Sequence, residues 1–319
     1  MMSLPHFSDR PWPWSVGLLR ALLGAAPLLF PLAARGDAAG QLPPVAVSGI
    51  AGVTYLTADA ASMRRFYGLG AGFAEAPQEP GRTRFAVGAG QWVEFLVVRD
   101  AGWPRRLQYV TLEAASPEEI GRSLRARGVP ADRVGAGPLA WDLQFVDPAG
   151  NRIRVAKPWT APAARPGAPA PFSEHLQHFG LAVDRSRAEA TMNFYRDTLG
   201  WPEAARMDGA DGRLAMVKFR LPGGRSEVVE LIFFDPPLNK WAAGAIDHVK
   251  FDVGDIKAAY RSLHRGGIAN QAKHLPTVDA DHLWAINLFD PELTRIEIQE
   301  LAPTTAAIGT VSPVGAASR

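Results

Sequence analysis

LQHFGLAV (176–183), RAEATMNFYRDTLGW (187–201), LAMVKFRL (214–221) and SEVVELIFF (226–234) follow one another in the second half of the chain. The first, third and fourth carry the apolar alternation of half-buried strands. The second places Ala190, Phe194 and Leu199 near helical spacing, with Gly200 as a stop. The run therefore reads as strand, helix, strand, strand. IDHVKFDV (246–253), DIKAAYRSLHRGG (255–267), HLWAINLF (282–289) and TRIEIQE (294–300) repeat that grammar. In this second copy Asp255 suits an N-cap, and the Gly266–Gly267 pair suits the end of a helix.

The first half of the chain carries the same order. FYGLGAGF (66–73) returns as FYRDTLGW (194–201), RSLRARGV (122–129) as RSLHRGGI (261–268), and FVDPAGNRI (145–153) as LFDPELTRI (288–296). The starts lie 128, 139 and 143 residues apart, which is an internal duplication. TAPAARPGAPAP (160–171) separates the copies and is a proline- and alanine-rich linker. Each copy divides into two units, so the chain is expected to be α+β, four βαβββ modules paired into two domains.

A length of 319 residues suits two such domains, each with its own core. Lysine plus arginine number 34 against 32 aspartate plus glutamate, and no basic stripe or finger spacing accompanies them. Nucleic-acid binding is excluded on that ground. Cysteine is absent, so a metal would have to be held by nitrogen and oxygen. The first forty residues differ: Arg10 and Arg20 precede the apolar run ALLGAAPLLFPLAA, then Ala38 and Gly40 fit the small-residue rule for a cut before Gln41. This is the plan of a secretory signal peptide over 1–40. The run is short and holds Pro27 and Pro31, so stable membrane insertion is the weaker reading. The expected divisions are then 46–158 and 174–302 for the domains, 159–173 for the linker and 303–319 for a flexible tail. A periplasmic or secreted protein is implied.

The four units, with FYRDTLGW closing a helix and DPAGNRIRV or DPELTRIEI in a last hairpin, resemble the vicinal oxygen chelate superfamily over about residues 46–301. That group includes glyoxalase I, methylmalonyl-CoA epimerase, the fosfomycin- and bleomycin-resistance proteins and the type I extradiol dioxygenases. The resemblance implies two glyoxalase-like half-barrel domains, each with a cup whose inner face carries the chemistry.

Strand alternation selects the residues that face the cup. In VVELIFF, Val229, Leu231 and Phe233 share one face and Glu230 lies on the other. The same parity sets His178 against Phe179 and Leu181, His248 with Lys250 against Val249 and Phe251, and Glu297 against Ile296 and Ile298. Two imidazoles and two carboxylates suit one divalent ion, zinc, nickel, manganese or ferrous iron. Singly, each is more often an ordinary polar strand residue. Together they fall on the first and last strands of two successive modules, which matches the glyoxalase I ligand pattern residue by residue. In the first half the matching positions are Gly52, Glu94, Tyr109 and Arg154, so that half is expected to be a copy without metal.

By this resemblance the ion acts as a Lewis acid on two adjacent substrate oxygens, and Glu297 or Glu230 moves the proton. An isomerase, epimerase or lyase acting on a small oxygenated compound is the favoured expectation. The alternative is ring cleavage by ferrous iron held by His178, His248 and Glu297, since extradiol enzymes also have four modules with the metal in the second half. Against it, Asn287 stands where those enzymes carry a tyrosine, and Ile232, Phe233 and Phe234 stand where a second histidine is expected. A third reading is a metal-free ligand-binding protein. Lys250, Arg295, His282 and Trp284, with His274, are the further candidates for substrate contact.

Overall fold

The structure is a computed structural model that describes residues 42–77, 79–88, 90–99, 105–134, 142–162, 170–223, 226–268, 275–278 and 283–301. The expected signal segment 1–40, residues 163–169 of the linker, the tail 303–319 and both His274 and His282 lie outside the described residues.

The first module runs β1 (Gly49–Thr57), α1 (Ala60–Met63, continued by the π-helix Arg64–Gly70), β2 (Ala74–Glu75), β3 (Arg82–Val87) and β4 (Gln91–Val97). The second runs β5 (Leu107–Glu113), α2 (Pro117–Ala126), β6 (Asp132–Val134), β7 (Asp142–Val146) and β8 (Arg152–Ala156). The third repeats the plan as β9 (His175–Asp184), α3 (Ala188–Asn193, continued by the π-helix Phe194–Thr198), β10 (Glu203–Asp208), β11 (Leu214–Arg220) and β12 (Val228–Phe234). After a helix that the sequence reading lacks, α4 (Lys240–Ile246), the fourth runs β13 (Val249–Val253), α5 (Ile256–Arg265), β14 (Thr277–Val278), β15 (Trp284–Phe289) and β16 (Arg295–Glu300).

These strands form two eight-stranded mixed sheets with the same order, β2-β3-β4-β1-β5-β8-β7-β6 and β10-β11-β12-β9-β13-β16-β15-β14. In each, the first strands of the two modules lie side by side and antiparallel at the centre. The four βαβββ modules and the paired half-barrels are as the sequence implies.

Local chemistry explains the helices. The Asp255 carboxylate accepts from the backbone N–H groups of Lys257 and Ala258, and Gly267 takes φ +74° just after α5. That is the cap and stop read from the sequence. The FY motifs end their helices with a wide turn: Ala71 N–H donates to Phe66 O, and Leu199 N–H donates to Phe194 O. The tyrosines that follow those phenylalanines, Tyr67 and Tyr195, are fully buried with Phe85, Phe95, Trp201 and Phe219 on the helix side of the sheets.

The two halves exchange partners across a common seam. Tyr67 donates to Asp290 Oδ2 at 3.2 Å, and Tyr195 donates to Asp147 Oδ2 at 3.2 Å, so each FY helix reaches the aspartate of the other half's last hairpin. Burial, then the neighbouring aspartates, push both phenols well above their ordinary range, so they stay protonated donors. Arg106 spans the same seam to Asp290 at 2.9 Å. Gln91 crosses it too, donating to Leu176 O and accepting from Leu176 N.

Candidate metal centre

The strand that begins the second sheet bends just before its key residue. On β9, Lys250 faces His178 but the next residue, Phe251, faces Leu176, so Gln177 is a bulge. The first sheet repeats the shift between Ile50 and Gly52. A bulge re-aims the side chains beside it. Here it buries Leu176 and His178, which share sequence parity, in different surroundings: Leu176 is part of the apolar core, whereas His178 joins the polar group of the cup.

The bulge residue also orients that histidine. Gln177 Nε2 donates to Ser226 O at 3.1 Å, so its Oε1 is the atom 2.8 Å from His178 Nδ1. His178 Nδ1 must therefore be the protonated nitrogen, and Nε2 carries a lone pair. His248 is set in the same way, because its Nδ1 lies 2.8 Å from Ile246 O, an acceptor only. Its ring packs over Gly180, where a β-carbon would run into both Nδ1 and Ile246 O.

The two free nitrogens face each other, His178 Nε2 to His248 Nε2 at 3.0 Å. Burial drives His178 well below the usual imidazole range, which keeps it neutral. Glu230 Oε2 is 3.2 Å from His248 Nε2 and 3.6 Å from His178 Nε2. Burial alone would raise the Glu230 carboxyl, and the Lys218 ammonium opposes that rise. His178, His248 and Glu297 also form a group whose ligand atoms lie within 4.8 Å of one another. Lone pairs thus converge from strands β9, β12, the residue before β13, and β16. Lys218 and Arg295 pair with the two carboxylates, and the nitrogen and oxygen atoms of His178, His248 and Glu297 fit a divalent ion.

The residues around this group are only partly those the sequence suggested. Arg295 does reach it: Nη1 is 3.3 Å from Glu297 Oε2, and Nε donates to Ala245 O at 2.9 Å. Lys250 is close but buried, with its ammonium donating to Gln299 Oε1. Trp284 is not brought to the group. It pairs with Val278 at the outer end of the last hairpin, is 47% exposed, and shares the β15 face of Ile286 and Leu288 rather than that of Asn287, which faces Glu297. Lys218 was missed by the sequence reading. It lies opposite Glu230 in register, with Nζ 3.6 Å from Oε1, and the alternation LAMVKFRL already sets it apart from the buried Val217 and Phe219.

At the matching place in the first sheet a guanidinium takes the position of a cation. Arg84 lies opposite Glu94 and grips Oε2 through Nε at 2.9 Å and Nη2 at 2.7 Å. Oε1 accepts from Thr54 at 3.1 Å and Tyr109 at 3.2 Å, and Arg154 stacks 3.5 Å over the Tyr109 ring. The Trp92 indole fills the space above Gly52, where a β-carbon would lie 2.6 Å from Nε1.

Comparison with known proteins agrees with the fold. Residues 175–298 match the family model described as Glyoxalase/Bleomycin resistance protein/Dioxygenase superfamily. Similar solved structures include BphC, a halotolerant catechol dioxygenase, at 19% identity over 80% of this chain and 87% of that one, with a TM-score of 0.63. The 2,3-dioxygenase LapB from Pseudomonas sp. KL28 is 15% identical over 82% of this chain and 95% of its own, with a TM-score of 0.64. The Mn(II)-bound glyoxalase from Novosphingobium aromaticivorans is 18% identical over 80% of this chain and 82% of its own, with a TM-score of 0.62. At these identities the likeness is one of fold. No curated protein sequence matches the chain.

Proposed function

We propose, starting from the membership of residues 175–298 in the glyoxalase, bleomycin resistance protein and dioxygenase superfamily, that this chain is an exported enzyme with one divalent metal in its second domain. Its reading as an isomerase, epimerase or lyase of a small compound with adjacent oxygens rests on one observation. The lone-pair nitrogens of His178 and His248 converge at 3.0 Å with Glu230 against both of them. A fourth protein donor of that kind suits Lewis-acid chemistry, where the ion need not also bind dioxygen.

When bound, the ion supplies a Lewis acid for two neighbouring substrate oxygens. His178 and His248 hold it with their Nε2 atoms, their Nδ1–H groups being committed to Gln177 Oε1 and Ile246 O. Glu230, with Lys218 behind it, remains ionised. Glu297, the more open carboxylate at 15% side-chain exposure against 7%, is the group that takes up and returns a proton. Arg295 beside it holds an anionic part of the substrate.

The second reading is ring cleavage with ferrous iron, supported by the grouping of His178, His248 and Glu297 within 4.8 Å. Asn287 weighs against it, since it lies opposite Glu297 and its amide oxygen is 3.4 Å from Arg295 Nη1, with no phenol there to assist.

Elemental analysis of the chain from residue 41 onward, beside its His248→Ala variant, tests both. About one equivalent of zinc, nickel or manganese, lost in the variant, supports the Lewis-acid reading. Iron together with oxygen consumption on a catechol transfers support to the second. No uptake of any of these ions overturns both and leaves ligand binding without metal. Export is tested by finding the mature amino terminus near residue 41 outside the cytoplasm.

A further inference from the structure

The residue before His248 belongs to both halves of the chain. Asp247 is 2% exposed, and its carboxylate receives Arg105 from the first half, Nη2 to Oδ1 and Nε to Oδ2, both at 2.7 Å. Oδ1 also accepts from Ala182 N–H on β9 at 3.1 Å. The Asp247 carbonyl accepts from the buried Tyr55 hydroxyl, again from the first half, at 3.3 Å. Side chain and backbone of this one residue are therefore both gripped by the opposite domain.

Its neighbours complete the hold on the imidazole. Ile246 O receives His248 Nδ1–H at 2.8 Å and His248 N–H at 2.9 Å, while His248 O receives Gly180 N–H at 2.9 Å. The turn Ile246–Asp247–His248 connects α4 to β13, and the second half holds Asp247 through its N–H on Ala243 O at 2.7 Å and through Ala182 N–H on Oδ1. Arg105 adds a planar fork that engages both carboxylate oxygens in two-point geometry, which a lysine cannot reproduce. Arg105 is tied in turn to Asn151 Oδ1 at 2.9 Å, and Asn151 to Asp147, so the fork is anchored in the first half's last hairpin.

We propose that Arg105 is a positioning residue for the metal centre: the first half, through Arg105 and Tyr55, clamps Asp247 and so fixes the direction of His248 Nε2. This inference rests on the metal reading above. It gives the half whose own cup is closed by Arg84 a task in the chemistry of the other. Partners of this kind, one step removed from a ligand, are worth about 10–100-fold in metal affinity.

The test is titration of the full chain from residue 41 with cobalt(II) alone, following the absorption bands of the bound ion, with urea denaturation alongside. Arg105→Lys and Asp247→Asn should each weaken cobalt binding by about 10–100-fold and shift the bands. Tyr67→Phe, which removes a seam hydrogen bond to Asp290 outside the Arg105–Asn151–Asp147 chain, should lower stability while leaving affinity and bands unchanged. Equal affinity in wild type, Arg105→Lys and Asp247→Asn overturns this inference and leaves the metal reading intact. Equal weakening in Tyr67→Phe also overturns it, since the effect would then belong to the seam as a whole. A wild-type chain that binds no cobalt overturns the metal reading, and this inference with it. Should Arg105→Lys not fold, Asp247→Asn, which keeps the side-chain shape, carries the same comparison.

Discussion

Arg84 and Lys218 occupy the same register position in the two sheets, each directly opposite the glutamate of the last strand in its module. Arg84 binds Glu94 through two hydrogen bonds of 2.9 and 2.7 Å, whereas the Lys218 ammonium stays 3.6 Å from Glu230. A fork closes the first cup, and a point charge at longer range leaves the second carboxylate facing two imidazoles. One duplicated architecture thus carries a two-bond ion pair on its glutamate in one half and a looser one, beside two imidazoles, in the other.

Removing the fork leaves the buried Glu94 carboxylate with Arg82 as its cation, Nη1 lying 3.5 Å from Oε2. Arg84→Met is expected to cost about 3 kcal/mol by urea denaturation, at the low end for a broken buried pair because Thr54 and Tyr109 still donate to Glu94. Metal content should not change. A loss of metal in this variant would place an ion in the first cup.

Gly180 is required by the ring above it. A β-carbon there meets His248 Nδ1 and the Ile246 carbonyl, and the carbonyl belongs to backbone that cannot step aside. Gly180→Ala should cost about 1–3 kcal/mol and sharply reduce metal uptake, read by calorimetric titration with zinc. Unchanged uptake would show that the His248 ring tolerates displacement.

His175 should give the seam a measurable pH dependence. Hydrogen bonds first to Asp252 and then to Glu227, at 3.2 and 3.0 Å, raise its pKa from 6.5 to about 9. Its folded pKa lies above the unfolded value, so its contribution is complete below pH 6.5 and is lost as pH rises through about 9. Denaturation midpoints of wild type and His175→Asn should converge between those limits. Parallel curves across the range would contradict the paired, protonated imidazole.

The exchanged tyrosines should behave alike. Tyr67→Phe and Tyr195→Phe each remove a buried donor from an aspartate and should each destabilise the chain by about 2 kcal/mol in urea. A large effect for one and none for the other would mean that the two halves do not depend on the seam symmetrically.

Much of this was legible from periodicity. A strand repeats every two residues, so VVELIFF and TRIEIQE put Glu230 and Glu297 on the polar face without any knowledge of their neighbours. The duplicated FY, RSL and DP motifs likewise give four modules. Trp284 shows the limit of residue type as a guide, because its parity, the same as Ile286 and Leu288, takes it to the other face. Lys218 obeyed the same alternation and could have been found by it.

What the sequence determined by itself is local: strand faces, helix caps such as Asp255, and the order of the modules, because each depends on a few consecutive residues. What the tertiary structure decided is which strands become neighbours. Only that pairing sets His178 against His248, bends β9 at Gln177 and turns its amide oxygen toward an imidazole. Only the packing of one half on the other brings Arg105 to Asp247, 142 residues away. Such contacts join distant segments through side-chain geometry, and no period along the chain encodes them.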